Sequence, residues 1–109
     1  MFAGQHGLEN LTAIVDLNGQ QALGFTKDVL SISDMRARWE GFGWDAADVD
    51  GHDTTALAAA FDAPRDGRPR VLIAHTTFGK GVDYMESTIA WHYLPMDDAQ
   101  YASALEQVG

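Results

Sequence analysis

Apolar and β-branched residues gather in three short runs along the chain, and between them apolar positions recur at helical spacing. The first run, Leu11 to Asp16, stops at Asn18-Gly19, the pattern of a buried strand leaving its sheet. Ser33 can then cap a helix on which Met35, Trp39 and Phe42 share a face, with Gly41 and Gly43 placed to end it. Trp44 to Val49 is the second, less regular strand. Asp50-Gly51-His52-Asp53 predicts a turn whose last residue caps an Ala-rich helix over Thr54 to Phe61, and the Arg65 to Pro69 loop follows. The third strand is Arg70 to His75, around Val71-Leu72-Ile73-Ala74, and Pro95 to Val108 predicts a final helix with Tyr101, Leu105 and Val108 on one face.

Strand, helix, strand, helix, strand is a βαβαβ core plus a C-terminal helix. Helical crossovers demand parallel pairing and a right-handed α/β layering, so the expected fold is a three-layer parallel sheet. Three strands make that sheet thin, and parallel sheets are covered on both faces, so the fold is expected to be partial and completed by more strands or another chain. Phe2 to Leu8 strengthens this expectation, because it reads as the last turns of a helix already under way, with Gly7 at its C-cap. No internal repeat, linker or second domain is visible within the 109 residues.

Composition narrows the function classes. With 46% hydrophobic and 21% charged residues the chain is expected to fold around a packed core. Sixteen acidic residues against seven basic ones leave a formal charge of −9, which repels both nucleic-acid phosphates and anionic lipid. Cysteine is absent, which excludes disulfides, thiolate metal sites and cysteine nucleophiles. Neither a signal peptide nor an apolar run approaching the roughly 20 residues of a membrane span is seen, so a soluble, cytoplasmic protein is expected.

Ligands of open parallel sheets gather beyond the carboxyl ends of the strands, which directs attention to Asn18-Gly19-Gln20 and to the stretch from Thr76. Asn18 offers an amide oxygen and Gln20 a backbone carbonyl. Gly19 lets the chain reverse so that both can converge on one hard cation such as Mg²⁺. By itself the Asn-Gly pair reads first as a plain turn, since it is also the commonest two-residue turn. Thr76 to Tyr93 shows little regular pattern, and so long a stretch in a compact domain reads as an active-site loop. Its Gly79-Lys80-Gly81 is no Walker motif, and Lys80 is either an exposed loop lysine or a point charge for phosphate. Among the histidines, His52 is expected to brace a turn and His75 to end a strand, while His92 lies in the loop beside Trp91. No His pair has metal-ligand spacing, and Trp39 and Trp44 read as core or intersubunit contacts.

The segment Leu8 to Gln21 resembles the end of the thiamine-diphosphate signature of transketolases. The likeness continues through Gly24 to Val29, Trp39 to Trp44, Val49 to Asp53, His75 to Val82 and Ile89 to His92, in the family's order and over nearly the whole chain. Its Gly-Lys-Gly form is most similar to split, two-subunit transketolases. The resemblance implies that residues 1–109 are the second half of a thiamine-diphosphate-binding domain. It further implies that Asn18 and the carbonyl of Gln20 ligate Mg²⁺, that Asn18 and His92 bind the cofactor, and that His92 also contacts the sugar-phosphate substrate. The reaction implied is transfer of a two-carbon ketol unit.

The upstream Gly-Asp-Gly of the signature, with the Asp that supplies a third protein ligand, is not in this sequence. The resemblance therefore implies a fragment or subunit that is inactive alone. Its expected partners are the missing N-terminal half of the domain and a pyrimidine-binding transketolase subunit, joined in an oligomer. Two other readings stay open: a non-catalytic remnant of the same fold, and a related thiamine-diphosphate synthase of the deoxyxylulose-phosphate type.

Overall fold

In the computed structural model all residues, 1–109, are described. The chain divides into two compact units, one formed by Met1–Leu17 and Ile32–Thr76, the other by Asn18–Ser31 and Thr77–Gly109.

The first unit holds a short helix α1 (Phe2–Gln5) and strand β1 (Thr12–Leu17). The second unit contributes the next three elements, strands β2 (Gln20–Gln21) and β3 (Gly24–Phe25) and helix α2 (Thr26–Val29). The first unit then continues with α3 (Met35–Gly41), β4 (Asp45–Asp50), α4 (Thr54–Asp62) and β5 (Arg70–His75). Its three strands pair in parallel in the order β1-β5-β4, so the last strand in sequence lies in the middle. The sequence explains that place. Val71, Leu72, Ile73 and Ala74 are an unbroken apolar run, and a strand buried on both faces cannot alternate polar with apolar. All four are at most 5% exposed.

Alternate side chains of β5 build two cores. Val71 and Ile73 join Trp44 and Ala46, against which Met35 and Trp39 of α3 and Ala3 of α1 pack. Leu72 and Ala74 join Val49, covered by Ala56, Leu57 and Ala60 of α4. Helices thus lie on both faces of a parallel sheet, the expected three-layer α/β arrangement. Trp39 and Trp44 meet edge to face with centroids 4.7 Å apart, inside the core. No helix is long and apolar enough to cross a membrane.

Local details depart from expectation in instructive ways. Helix α3 starts after Asp34, a left-handed residue with φ of 55°, and not at a Ser33 cap. The cap of α4 is as expected, with the Asp53 carboxylate accepting from the amides of Thr55 and Ala56 at 2.9 Å. Arg70, which the hydrophobic pattern marks only as the start of a strand, is 4% exposed. Its guanidinium donates to Asp45 of β4 at 2.8 and 2.9 Å and to the carbonyls of Ala60 and Ala63 at the end of α4 at 3.2 and 2.7 Å. One buried cation therefore ties a helix C-terminus to two strands, where the helix dipole also favours positive charge. On the surface, the Arg68 guanidinium beside Asp66 holds that carboxyl below its usual range.

In the second unit β2 and β3 form a small antiparallel hairpin that the hydrophobic pattern does not signal. The final helix, α5 (Asp98–Val108), opens with a capping box between Asp97 and Gln100. Its Ala104 is buried while Tyr101, Leu105 and Val108 are 55%, 50% and 59% exposed, so the apolar face read from the sequence points to solvent.

Candidate functional site

Asn18 is the residue immediately after β1, and Gln20 opens β2. The Asn18 side-chain oxygen accepts the amide of Gln20 at 2.9 Å, closing a local turn of the kind asparagine favours. Gly19 between them has φ of +74°, the left-handed conformation that glycine adopts readily. Its carbonyl is taken by Thr26, whose amide donates at 2.9 Å and whose hydroxyl donates at 3.2 Å. The start of α2 thereby pins the loop in place.

A neutral amide oxygen and a main-chain carbonyl are the hard donors that Mg²⁺ prefers, and both residues fit a metal that shares its sphere with diphosphate oxygens. They do not complete one. No group of three or more His, Cys, Asp or Glu side chains in the structure is placed to hold a metal ion. Gln20 adds a feature that the sequence does not signal. Its side chain is 8% exposed, and neither the amide oxygen nor the amide nitrogen has a partner; the nitrogen of Gln21 is in the same state.

The loop from Thr77 is more ordered than its sequence suggests. The amides of Lys80, Val82, Met85 and Ser87 donate to the carbonyls of Thr77, Gly79, Val82 and Phe78 in turn, folding the loop back on itself. Gly79 has φ of +71°, and a Cβ there would lie 2.6 Å from the Met85 carbonyl oxygen, so only glycine fits. Lys80 is exposed, 4.0 Å from Glu86.

His92 is the last residue of a 3₁₀ turn, Ile89–His92. Trp91 anchors this turn by donating from its indole nitrogen to the Tyr84 carbonyl at 2.8 Å, and the Tyr84 hydroxyl donates to Gln100 of α5 at 2.7 Å. His92 is exposed, and its ring is stacked on Phe78 with centroids 4.5 Å apart and planes at 25°. The next residue, Tyr93, donates its hydroxyl to the carbonyl of Ala22 in the β2–β3 turn. Asn18, Gln20 and His92 all fall in the second unit, and Tyr93 links the strand-loop segment to the His92 segment.

The other histidines lie elsewhere. His75 ends β5 and pairs with Asp48 at 2.7 Å, and the His52 amide donates to the Asp50 carboxylate in the turn before α4. Residue-by-residue reading of the sequence misses Phe78, Tyr93 and the buried Gln20 side chain. The available signal for Phe78 is an aromatic set directly before a glycine in a polar loop.

Comparison with known proteins closes the question of family. Residues 1–109 match the family described as transketolase, thiamine diphosphate binding domain. The chain is 39% identical over 110 residues to one of the subunits of apulose-4-phosphate transketolase from Phocaeicola vulgatus, covering 99% of this chain and 39% of that protein. It is 34% identical to the same-named protein of Actinobacillus succinogenes, over 99% of this chain and 40% of the relative. The crystal structure of transketolase from Campylobacter jejuni superposes with a TM-score of 0.82 at 28% identity, covering 97% of this chain and 17% of that one. The chain therefore spans about two fifths of the length of the two apulose-4-phosphate transketolase relatives. Fold, motif order and similarity agree: the chain belongs to the transketolase family and forms part of its thiamine-diphosphate-binding domain.

Proposed function

We propose that this chain is the second half of the thiamine-diphosphate-binding domain of a split transketolase, and that it contributes to ketol transfer between sugar phosphates only within a larger assembly. The observation that carries this reading is similarity over 99% of the chain to a protein named as one subunit of a transketolase, joined to a strand-following Asn18-Gly19-Gln20 turn. In the assembly, Asn18 and the Gln20 carbonyl would hold Mg²⁺, and His92 would bind the cofactor and the sugar phosphate. Bound thiamine diphosphate supplies the carbanion-stabilising chemistry. The protein's share is to bind, orient and neutralise charge. Partners are the rest of the domain and a pyrimidine-binding subunit in a cytoplasmic oligomer.

Unfinished surfaces support the need for partners. β1 is an edge strand, and Ile14 at its middle is 59% exposed, where a parallel sheet would normally carry a covering layer. Leu23, Leu30, Tyr93 and Leu94 are more than half exposed in the second unit.

Calorimetric titration with Mg²⁺ and thiamine diphosphate tests the reading. Two neutral oxygens compete poorly with water for a reluctantly dehydrating ion, so the chain alone should bind neither usefully. Binding should emerge on co-expression with the complementing segment and the pyrimidine-binding partner. There, His92→Ala should lower turnover roughly ten- to a hundredfold, the worth of a hydrogen bond to a charged group. A folded chain indifferent to cofactor in every mixture would instead identify a non-catalytic remnant, and turnover with pyruvate and a triose phosphate would identify a deoxyxylulose-phosphate-type synthase.

A further inference from the structure

We propose that Phe78 is the positioning residue for His92, an inference that rests on the reading of His92 as a site residue. An imidazole at the end of a 3₁₀ turn can swing about two side-chain torsions, and an exposed ring gains nothing from core packing that would stop it. Here the ring lies against Phe78, 4.5 Å away and tilted by 25°, within the offset-stacked range of aromatic pairs. Stacking engages the face of the imidazole. Both nitrogens lie in the ring plane, so the edge that would meet a phosphate or a hydroxyl stays accessible.

Phe78 is itself firmly held. Its carbonyl accepts the Ser87 amide at 2.9 Å, and the next residue, Gly79, is pressed so closely against Met85 that no side chain fits there. The platform therefore belongs to a hydrogen-bonded loop, while the ring it supports belongs to a separate turn anchored by Trp91. A group fixed before substrate arrives loses less freedom on binding, which is how a residue that touches no substrate influences turnover.

The test has two arms. In ¹H–¹³C aromatic NMR of the full 109-residue chain, the His92 ring protons should show an upfield ring-current shift and cross-relaxation to the Phe78 ring. Phe78→Leu should abolish the shift and Phe78→Tyr should keep it. Absence of cross-relaxation in the folded wild-type chain would overturn the proposal without any variant. In the complemented assembly, Phe78→Leu should reduce kcat roughly two- to tenfold with Phe78→Tyr restoring it, and should cost nothing further in a His92→Ala background. If His92→Ala is impaired and Phe78→Leu is not, the positioning role is refuted. If His92→Ala is fully active, the reading of His92 fails while the NMR contact stands.

Discussion

Gly19 and Gly51 show how two glycines serve for different reasons. At Gly19 a Cβ would meet nothing within 4 Å, so the residue is needed only for its φ of +74°. Gly19→Ala should cost about 1 kcal/mol, the penalty of a left-handed conformation in an L-residue. At Gly51 a Cβ would come 2.3 Å from a Thr76 methyl and 3.1 Å from the His75 carbonyl, while the Thr76 hydroxyl is committed to Asp16. Gly51→Ala should therefore cost more, roughly 2–3 kcal/mol from overpacking. Urea midpoints of the two variants should rank in that order; a reversal would mean that backbone strain outweighs space here. Asn18, Gln20 and His92 can be named as candidates from the sequence alone because they sit in a motif with a fixed order. Phe78 and Tyr93 are not, since a stack and a hydroxyl-to-carbonyl bond join residues distant in sequence and leave no periodic trace.

Elements show the same division. Helix α4 can be placed to within a residue because its cap, its alanines and Pro64 are all local signals. Asp53→Ala should leave the Thr55 and Ala56 amides without their side-chain acceptor and destabilise the chain by about 1 kcal/mol, visible as a lower melting temperature, while Asp53→Asn should recover most of it. No change on Asp53→Ala would show that water satisfies the helix end equally well. The β2–β3 hairpin is invisible to pattern because two-residue strands carry no alternation to detect. For helix α5 the spacing gives the place and the shared apolar face, but not that this face is exposed. Tyr101, Leu105 and Val108 have the spacing of a core face, but the helix is fastened through Gln100, Ala104 and Gln107, with Gln107 bonding Asp83 at 2.8 Å. Periodicity reports that a face is apolar and says nothing of which neighbour covers it.

For the molecule as a whole, stability of the sheet-bearing unit depends on a residue with no hydrophobic role. Arg70 satisfies Asp45 and the carbonyls closing α4, and its side chain is 5% exposed against 29% for Asp45. Arg70→Leu would leave a partly buried carboxylate and several carbonyls unpaired, so about 3 kcal/mol should be lost. Arg70→Leu combined with Asp45→Leu should recover part of that loss, because both charges then leave together. Guanidinium denaturation of the single and double variants measures this, and an undiminished loss in the double variant would place the cost in the orphaned carbonyls. The sequence by itself determined the α/β class, the parallel pairing, the three principal strands and the family, because strand and helix periods, caps and motif order are properties of neighbouring residues. Only the tertiary structure decided that β5 lies between β1 and β4, that Arg70 is buried, that the apolar face of α5 is bare and that His92 rests on Phe78. Each of these depends on which distant segments meet, and that is settled by packing every apolar face at once.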